Sequence, residues 1–204
     1  MSAPTPQQSV ALRELLARGG GARVVETINQ AGLLGYNLQG ISLMGSVLSG
    51  ISLPGARFRD AELRGVRLDG ACLSGSDGRG LMAHQCDLRG ADLSAAILTG
   101  ARFFSCDLGG ASLSGADLSG AWLDEDRLEG VDLTGANLTG ARLQGANLRG
   151  AVLLYARLRG ADLRGTDLRG ADLRGADLSD ALVVRADLTE ARSDEETRWP
   201  KKMK

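Results

Sequence analysis

Side chains able to carry covalent or metal chemistry are few in this chain. His84 is the single histidine, and a solitary histidine reads as a surface residue rather than a catalyst. The three cysteines, Cys72, Cys86 and Cys106, lack the short spacing of a metal site. Their odd number is too small for a disulfide scaffold and fits a reducing cytoplasm. Acids gather at Asp124-Glu125-Asp126. Glycine is abundant, but no phosphate-binding loop is present, because no Lys-Ser/Thr follows the glycines. HExxH, CxxC and a Gly-x-Ser-x-Gly elbow in a strand-to-helix setting are missing too. These residues predict no enzyme, no cofactor and no bound metal.

What must position them is set by an unusual composition. Among 204 residues, 29 are glycine while aromatics fall to 3%. Hydrophobic content of 43% with 24% charge excludes a low-hydrophobicity disordered polymer. No apolar run is long enough to span a bilayer, and the N-terminus has no basic-then-apolar signal pattern. A formal charge of −1 predicts no bulk attraction to nucleic acid or anionic lipid.

Order explains the composition. Counting every fifth residue from Leu33 to Leu188 gives 32 positions, of which 27 are leucine. The exceptions are Phe58, Gly78, Ala83, Phe103 and Val183. A small residue, most often alanine, precedes each by two, and glycine follows by two in 23 repeats. A period of five suits neither regular element. On a helix, successive leucines would sit about 140° apart. On a flat strand they would alternate faces. The chain must turn once per repeat, with alanine and leucine inward and glycine at the corner. Short sides joined by repeated corners make a solenoid.

The unit, clearest in Ala161-Asp162-Leu163-Arg164-Gly165 and Ala171-Asp172-Leu173-Arg174-Gly175, closely resembles the pentapeptide repeat proteins. The resemblance implies an all-β solenoid, a right-handed quadrilateral β-helix with four repeats per coil. On that basis residues 31–192 make about eight coils, a rod roughly 38 Å long at about 4.8 Å per coil. Residues 1–30 read as an N-terminal segment with a helical cap, and residues 193–204 as a short C-terminal capping tail in which Trp199 covers the final leucines.

Any function lies in the outward positions and the breaks. Residues 76–85 lose the central leucine twice, at Gly78 and Ala83. Either a degenerate coil or a projecting, partner-binding loop containing His84 would account for this. Asp126 falls in an inward slot, where an unpaired carboxylate is costly, so an outward bulge is expected there. Residues 107–132 hold seven acids against Arg127 alone, whereas 133–174 hold seven arginines against three aspartates. The acids Asp117, Asp124, Glu125, Asp126, Glu129 and Asp132 are partner-binding candidates. Outward charges that merely keep the rod soluble explain the banding as well.

A 20-residue fold of the sequence places Met82, Phe104 and Trp122 outward on one side, joining His84 as binding candidates. Leu182 and Val184 follow on that side. They are candidates for a homodimer contact through the C-terminal end, which the resemblance implies for many relatives, or for packing under the tail. Cys86 and Cys106 share an inward slot one coil apart. They read as two small buried thiols in place of alanine, although a disulfide is geometrically conceivable.

These features predict a non-catalytic, protein-binding rod in the cytoplasm. The resemblance makes one version concrete: a DNA-mimicking protein that binds DNA gyrase or topoisomerase IV and protects it from topoisomerase poisons. Such a role needs Arg149, Arg159, Arg164, Arg169 and Arg174 to face away from the binding side. The alternative is a structural or regulatory scaffold with an unrelated protein partner. Direct nucleic-acid binding is disfavoured, because aspartates alternate with the arginines and only Tyr155 offers a stacking ring.

Overall fold

The computed structural model describes residues 3–18, 21–32 and 34–201. Leu33, which opens the leucine series, and the tail lysines Lys202 and Lys204 lie outside the described residues. From Asn37 onward each side of the chain pairs in parallel with the side 20 residues later: Asn37 with Arg57, Val47 with Arg67, Ser52 with Cys72. One coil is therefore four five-residue sides. We number the four faces by their central residues: face 1 runs from Leu38 to Leu178, face 2 from Leu43 to Val183, face 3 from Leu48 to Leu188 and face 4 from Leu53 to Leu173.

The inward alanines and leucines form one continuous core, with most of them fully buried from Leu98 to Leu178. Each buried leucine contributes about 2 kcal/mol of apolar burial. The corners confirm the geometric demand for a left-handed residue. Nine corner positions carry something other than glycine, among them Gln85, Ser105, Glu125 and Tyr155, and all nine adopt φ between 53° and 61°. Stacking against neighbouring coils imposes a conformation that costs an L-residue about 1–2 kcal/mol.

The outward residue before leucine is often Asp or Asn for a local reason. Its carboxylate or amide oxygen accepts the backbone N–H two residues on, as in Asp132 with Thr134 (2.9 Å) and Asp117 with Ser119 (3.0 Å). Where arginine follows leucine, its guanidinium adds a two-pronged ion pair. Arg164 Nε and Nη2 reach Asp162 at 2.8 and 2.6 Å.

Two helices close the first coil. α1 (Pro6–Ala17) begins with a capping box between Thr5 and Gln8, and α2 (Ala22–Ala31) ends on a left-handed Gly32. Leu12, Leu16 and Ile28 are the apolar helical residues buried against the coil among those described. Asn29 supplies what a missing coil would have given: its side chain donates to Gly50 O (2.9 Å) and accepts from Ser52 N–H (2.7 Å). At the far end Arg198 pairs with Asp177. The 21-residue step shows one extra residue in the last turn of the stack. Trp199 packs half-buried against the core there.

Among the described residues regular strands occur only on face 2: β1 (Ser42–Met44), β2 (Glu62–Arg64), β3 (Met82–His84) and β4 (Arg102–Phe104), paired in that order. The corner after them differs from the others. Elsewhere the small inward residue donates its N–H back across the turn, as Ala101 does to Leu98 O at 2.9 Å. After β4 the Cys106 N–H instead donates to the Asp126 carboxylate at 2.7 Å. From Asp126 onward this corner closes: Asp126 N–H reaches Leu123 O at 3.4 Å and Ala146 N–H reaches Leu143 O at 3.0 Å.

One alternative is settled and one expectation is corrected here. Residues 76–85 do not project; β3 lies in register between β2 and β4. The lost leucines are balanced by the two core phenylalanines one coil away in the same columns, Phe58 beside Gly78 and Phe103 beside Ala83. Only about 20 Å³ of cavity remains among them. Nor does the chain bulge at Asp126. Its neighbours stay in register, Arg127 bridging both Asp107 and Asn147, and the Asp126 side chain is buried at 1% exposure.

Candidate functional site

Face 2 carries the densest group of large outward side chains. Its residues before the central position run Glu62, Met82, Arg102, Trp122, Arg142 up the rod. Those after it run Met44, Arg64, His84, Phe104, Asp124. A spacing of one coil sets each beside the next. Trp122 lies between two guanidinium groups, with Arg102 Cζ 4.6 Å and Arg142 Cζ 4.4 Å from its ring centre. His84 stacks on Phe104 with centroids 4.6 Å apart and planes 21° from parallel. Arg142 also holds Asp124 at 2.7 Å.

Met82, His84, Phe104 and Trp122 are half-buried, so their edges stay available while their faces are fixed by neighbours. Cation–π contacts of this kind contribute about 0.5–1 kcal/mol each at exposed sites. Their larger effect is to hold the side chains in place before any partner arrives. The sequence reading picked out these four residues but missed the arginines that clamp Trp122, and Met44, which is 76% exposed on the same face. Both were accessible from the 20-residue fold, which sets Arg102 and Arg142 directly below and above Trp122.

The acidic candidates do not form one patch. Consecutive repeats occupy successive faces, so Asp117 lies on face 1, Asp124 on face 2, Glu129 on face 3 and Asp132 on face 4. Glu125 is at the corner between faces 2 and 3 with φ 61°. Among the described residues Asp117, Glu125, Glu129 and Asp132 make no ion pair, whereas Asp124 does. Asp117 accepts from Ser119 N–H, Thr99 Oγ1 and Asn137 Nδ2. Burial works against its charge, but those hydrogen bonds outweigh it and hold the carboxyl below its usual range.

Asp126 is the outlier. Desolvation pushes its carboxyl up to about 7, opposed by the Cys106 N–H and reinforced by the charge of Asp124. It faces the core, so it is not a surface contact.

The arginine-rich half is likewise less basic than its sequence. Arg164, Arg169 and Arg174 each pair with the aspartate two residues earlier. At the end of the rod Leu182 and Val184 are 48% and 40% exposed; the described part of the tail, to residue 201, does not cover them.

An open groove of about 590 Å³ follows the corner between faces 2 and 3, lined among others by Cys86, Arg89, Cys106 and Arg127. Among the described residues no group of three or more His, Cys, Asp or Glu side chains is placed to hold a metal ion. No helix among them is long and apolar enough to cross a membrane.

Comparison with solved structures returns other pentapeptide coils. Full-length QnrB1, a plasmid-mediated fluoroquinolone resistance protein, is 20% identical over 80% of this chain and 91% of its own, with a TM-score of 0.47. The pentapeptide repeat protein alr5209 from Nostoc PCC 7120 is 42% identical over 44% of this chain and 74% of its own, with a TM-score of 0.44. HetL, a pentapeptide repeat protein involved in heterocyst differentiation regulation in Nostoc sp. strain PCC 7120, is 28% identical over 84% and 94%, with a TM-score of 0.36. No curated protein matches the chain. The pentapeptide repeat profile matches eight copies across residues 37–77, 86–125, 127–153 and 156–192. The chain belongs to the pentapeptide repeat family.

Proposed function

We propose that this rod binds a protein partner through face 2, around the ladder Met82, His84, Arg102, Phe104, Trp122 and Arg142. The carrying observation is the clamping of Trp122 between Arg102 and Arg142. Tryptophan and arginine are the residue types that dominate binding hot spots, and here they are ordered in the free protein. Face 4, on the opposite side, presents serines such as Ser112 and Ser114 and supplies an internal control. Bait proteins bearing Trp122→Ser with Arg102→Glu, or Ser114→Arg alone, would be compared with the unaltered chain by quantitative mass spectrometry of cellular partners. A partner should be kept by the face 4 bait and lost by the face 2 bait. Equal capture by all three baits would sink the reading.

DNA gyrase or topoisomerase IV is the second reading, supported by the ring of acids without ion pairs at Asp117, Glu125, Glu129 and Asp132. A DNA-like stripe along the rod has less support. Arg159 lies on face 1, Arg164 on face 2, Arg149 and Arg169 on face 3, and Arg174 on face 4. A gyrase supercoiling assay with and without a topoisomerase poison decides this version. Protection that weakens in Asp132→Asn supports it; no inhibition, no protection and no co-migration removes it. Two copies meet through Leu182 and Val184 at the end of the rod on this reading; a Leu182→Arg variant should sediment as a smaller particle than the unaltered chain, and equal sedimentation removes the contact.

A further inference from the structure

The inward column at the corner between faces 2 and 3 reads Ser46, Val66, Cys86, Cys106, Asp126, Ala146, Thr166 from coil to coil. The Asp87–Asp107 bridge fixes its two cysteines in register, one strand spacing of about 4.8 Å apart. That separation lies within the Cα range of a disulfide. The sulfurs also point the same way. Cys86 Sγ lies 3.5 Å from His84 O and 3.6 Å from Leu63 O. Cys106 Sγ lies 3.7 Å from Phe104 O and 3.4 Å from Ala83 O. Each contact of one thiol is the other's displaced by one coil, so the two side chains stack in the same orientation.

Both cysteines are nearly covered, Cys86 at 2% and Cys106 at 1% exposure, and the corner supplies the access they have. Glycine is replaced there by Gln85 and Ser105, the Cys106 N–H is taken by Asp126 rather than the turn, and both cysteines line the 590 Å³ groove. We propose that Cys86 and Cys106 are a modification site, a dithiol that hydrogen peroxide closes into a disulfide between consecutive coils.

Cys86 is the attacking thiol. The neighbouring Cys106 thiol holds it below its usual range against the effect of burial, while the same proximity and burial push Cys106 up. The Cys86 thiolate attacks one peroxide oxygen, the O–O bond breaks, and the departing hydroxide takes up the thiol proton as water. The resulting sulfenic sulfur is attacked by Cys106; its S–O bond breaks and a second water leaves with the Cys106 proton. Two thiols lose two electrons and one peroxide becomes two waters. The new bond ties two coils directly behind His84 and Phe104.

The test uses full-length protein carrying Cys72→Ser, so that two thiols remain. After peroxide treatment and quenching, thiols are titrated in denaturant and tryptic fragments are mapped without reductant. The expected result is loss of both thiols, a mass lower by two hydrogens, and a linked pair of fragments, Gly80–Arg89 with Phe103–Arg127, that dithiothreitol separates. Persistence of both thiols, or oxidation of each to sulfinic acid without a link, would overturn the proposal. Cys106→Ala, which places the alanine found at position 146 in this slot, guards against a folding artefact. It should abolish the link between these fragments in a chain that still folds; loss of the Cys86 thiol into a link between two chains, in parent and variant alike, would overturn it.

Discussion

The Cys106 N–H donates to Asp126 Oδ1 at 2.7 Å, while Asp126 Oδ2, equally enclosed, has no hydrogen-bond partner among the described residues. One carboxylate thus caps the backbone where an open corner meets a closed one, and the rest of it is left without solvation.

The sign of the consequence is fixed. Burial raises the Asp126 carboxyl from 3.8 to about 7, so between those values the folded chain binds its proton more tightly than the unfolded chain. The associated stability is complete below the lower value and lost as pH rises through the upper one. Asp126→Asn retains an acceptor for Cys106 without a charge to bury. In urea unfolding it should match the parent near pH 4 and exceed it at pH 8 by on the order of 3 kcal/mol. An equal difference at both pH values would assign the effect to something other than ionisation.

Asp172 carries the opposite dependence. Its side chain is 5% exposed and receives Arg174 from its own repeat and Arg192 from the next coil, each at 2.7 Å. The hydrogen bond from Arg174 is the main reason its carboxyl lies below the usual range, against a smaller effect of burial. That stability is present above the ordinary carboxylate pKa and disappears as pH falls through the lowered one. Thermal melts should show Asp172→Asn several degrees below the parent at pH 7, with the gap closing toward pH 3.

Tyr155 occupies a corner at φ 57° and its ring covers Gly175, one coil on. A Cβ on Gly175 would collide with that ring, whereas one on Gly165 meets nothing within 4 Å. Both glycines have nearly the same φ, 68° and 66°, so the left-handed cost of about 1–2 kcal/mol is shared. Gly175→Ala should therefore destabilise more than Gly165→Ala, and a Tyr155→Gly background should erase the difference. Equal losses in the original background would remove the ring from the account.

The phenylalanine–small pairs predict compensation. Ala83→Leu alone overfills the column beside Phe103 and should cost about 1–3 kcal/mol. Adding Phe103→Leu should restore part of that loss in a double-mutant cycle. Additive losses would mean that the two sites do not share space.

Trp122 offers an optical readout in protein carrying Trp199→Phe. Removing one clamp by Arg142→Ala should shift its emission to the red and raise acrylamide quenching, with a stability loss of about 1 kcal/mol or less. An unchanged spectrum would show that the guanidinium does not shield the ring in solution.

Repeat, core and corners were all written in the chain. Alanine and leucine two apart must share a side, and a five-residue period admits no regular element, so a turn at every repeat was readable from spacing. The four-sided coil, and with it the narrow interior that excludes rings, was implied by the resemblance to pentapeptide repeat proteins. The excess of glycine follows as well: it marks the corners of a rigid stack. The stack in turn forces nine other residues, Tyr155 and Glu125 among them, into glycine's conformation.

What spacing could not supply were relations between coils. Whether Gly78 and Ala83 signal a loop depends on the volume of Phe58 and Phe103 one coil away. Whether Asp126 bulges depends on an N–H left open by the turn at Ser105. Acids contiguous in sequence become a ring over four faces, while Arg102, Trp122 and Arg142, spread over 40 residues, become one clamp. A short repeat determines the path of the backbone because the local constraint recurs at every step. Side-chain partners lie 20 residues apart, and only the closure of the coil brings them together.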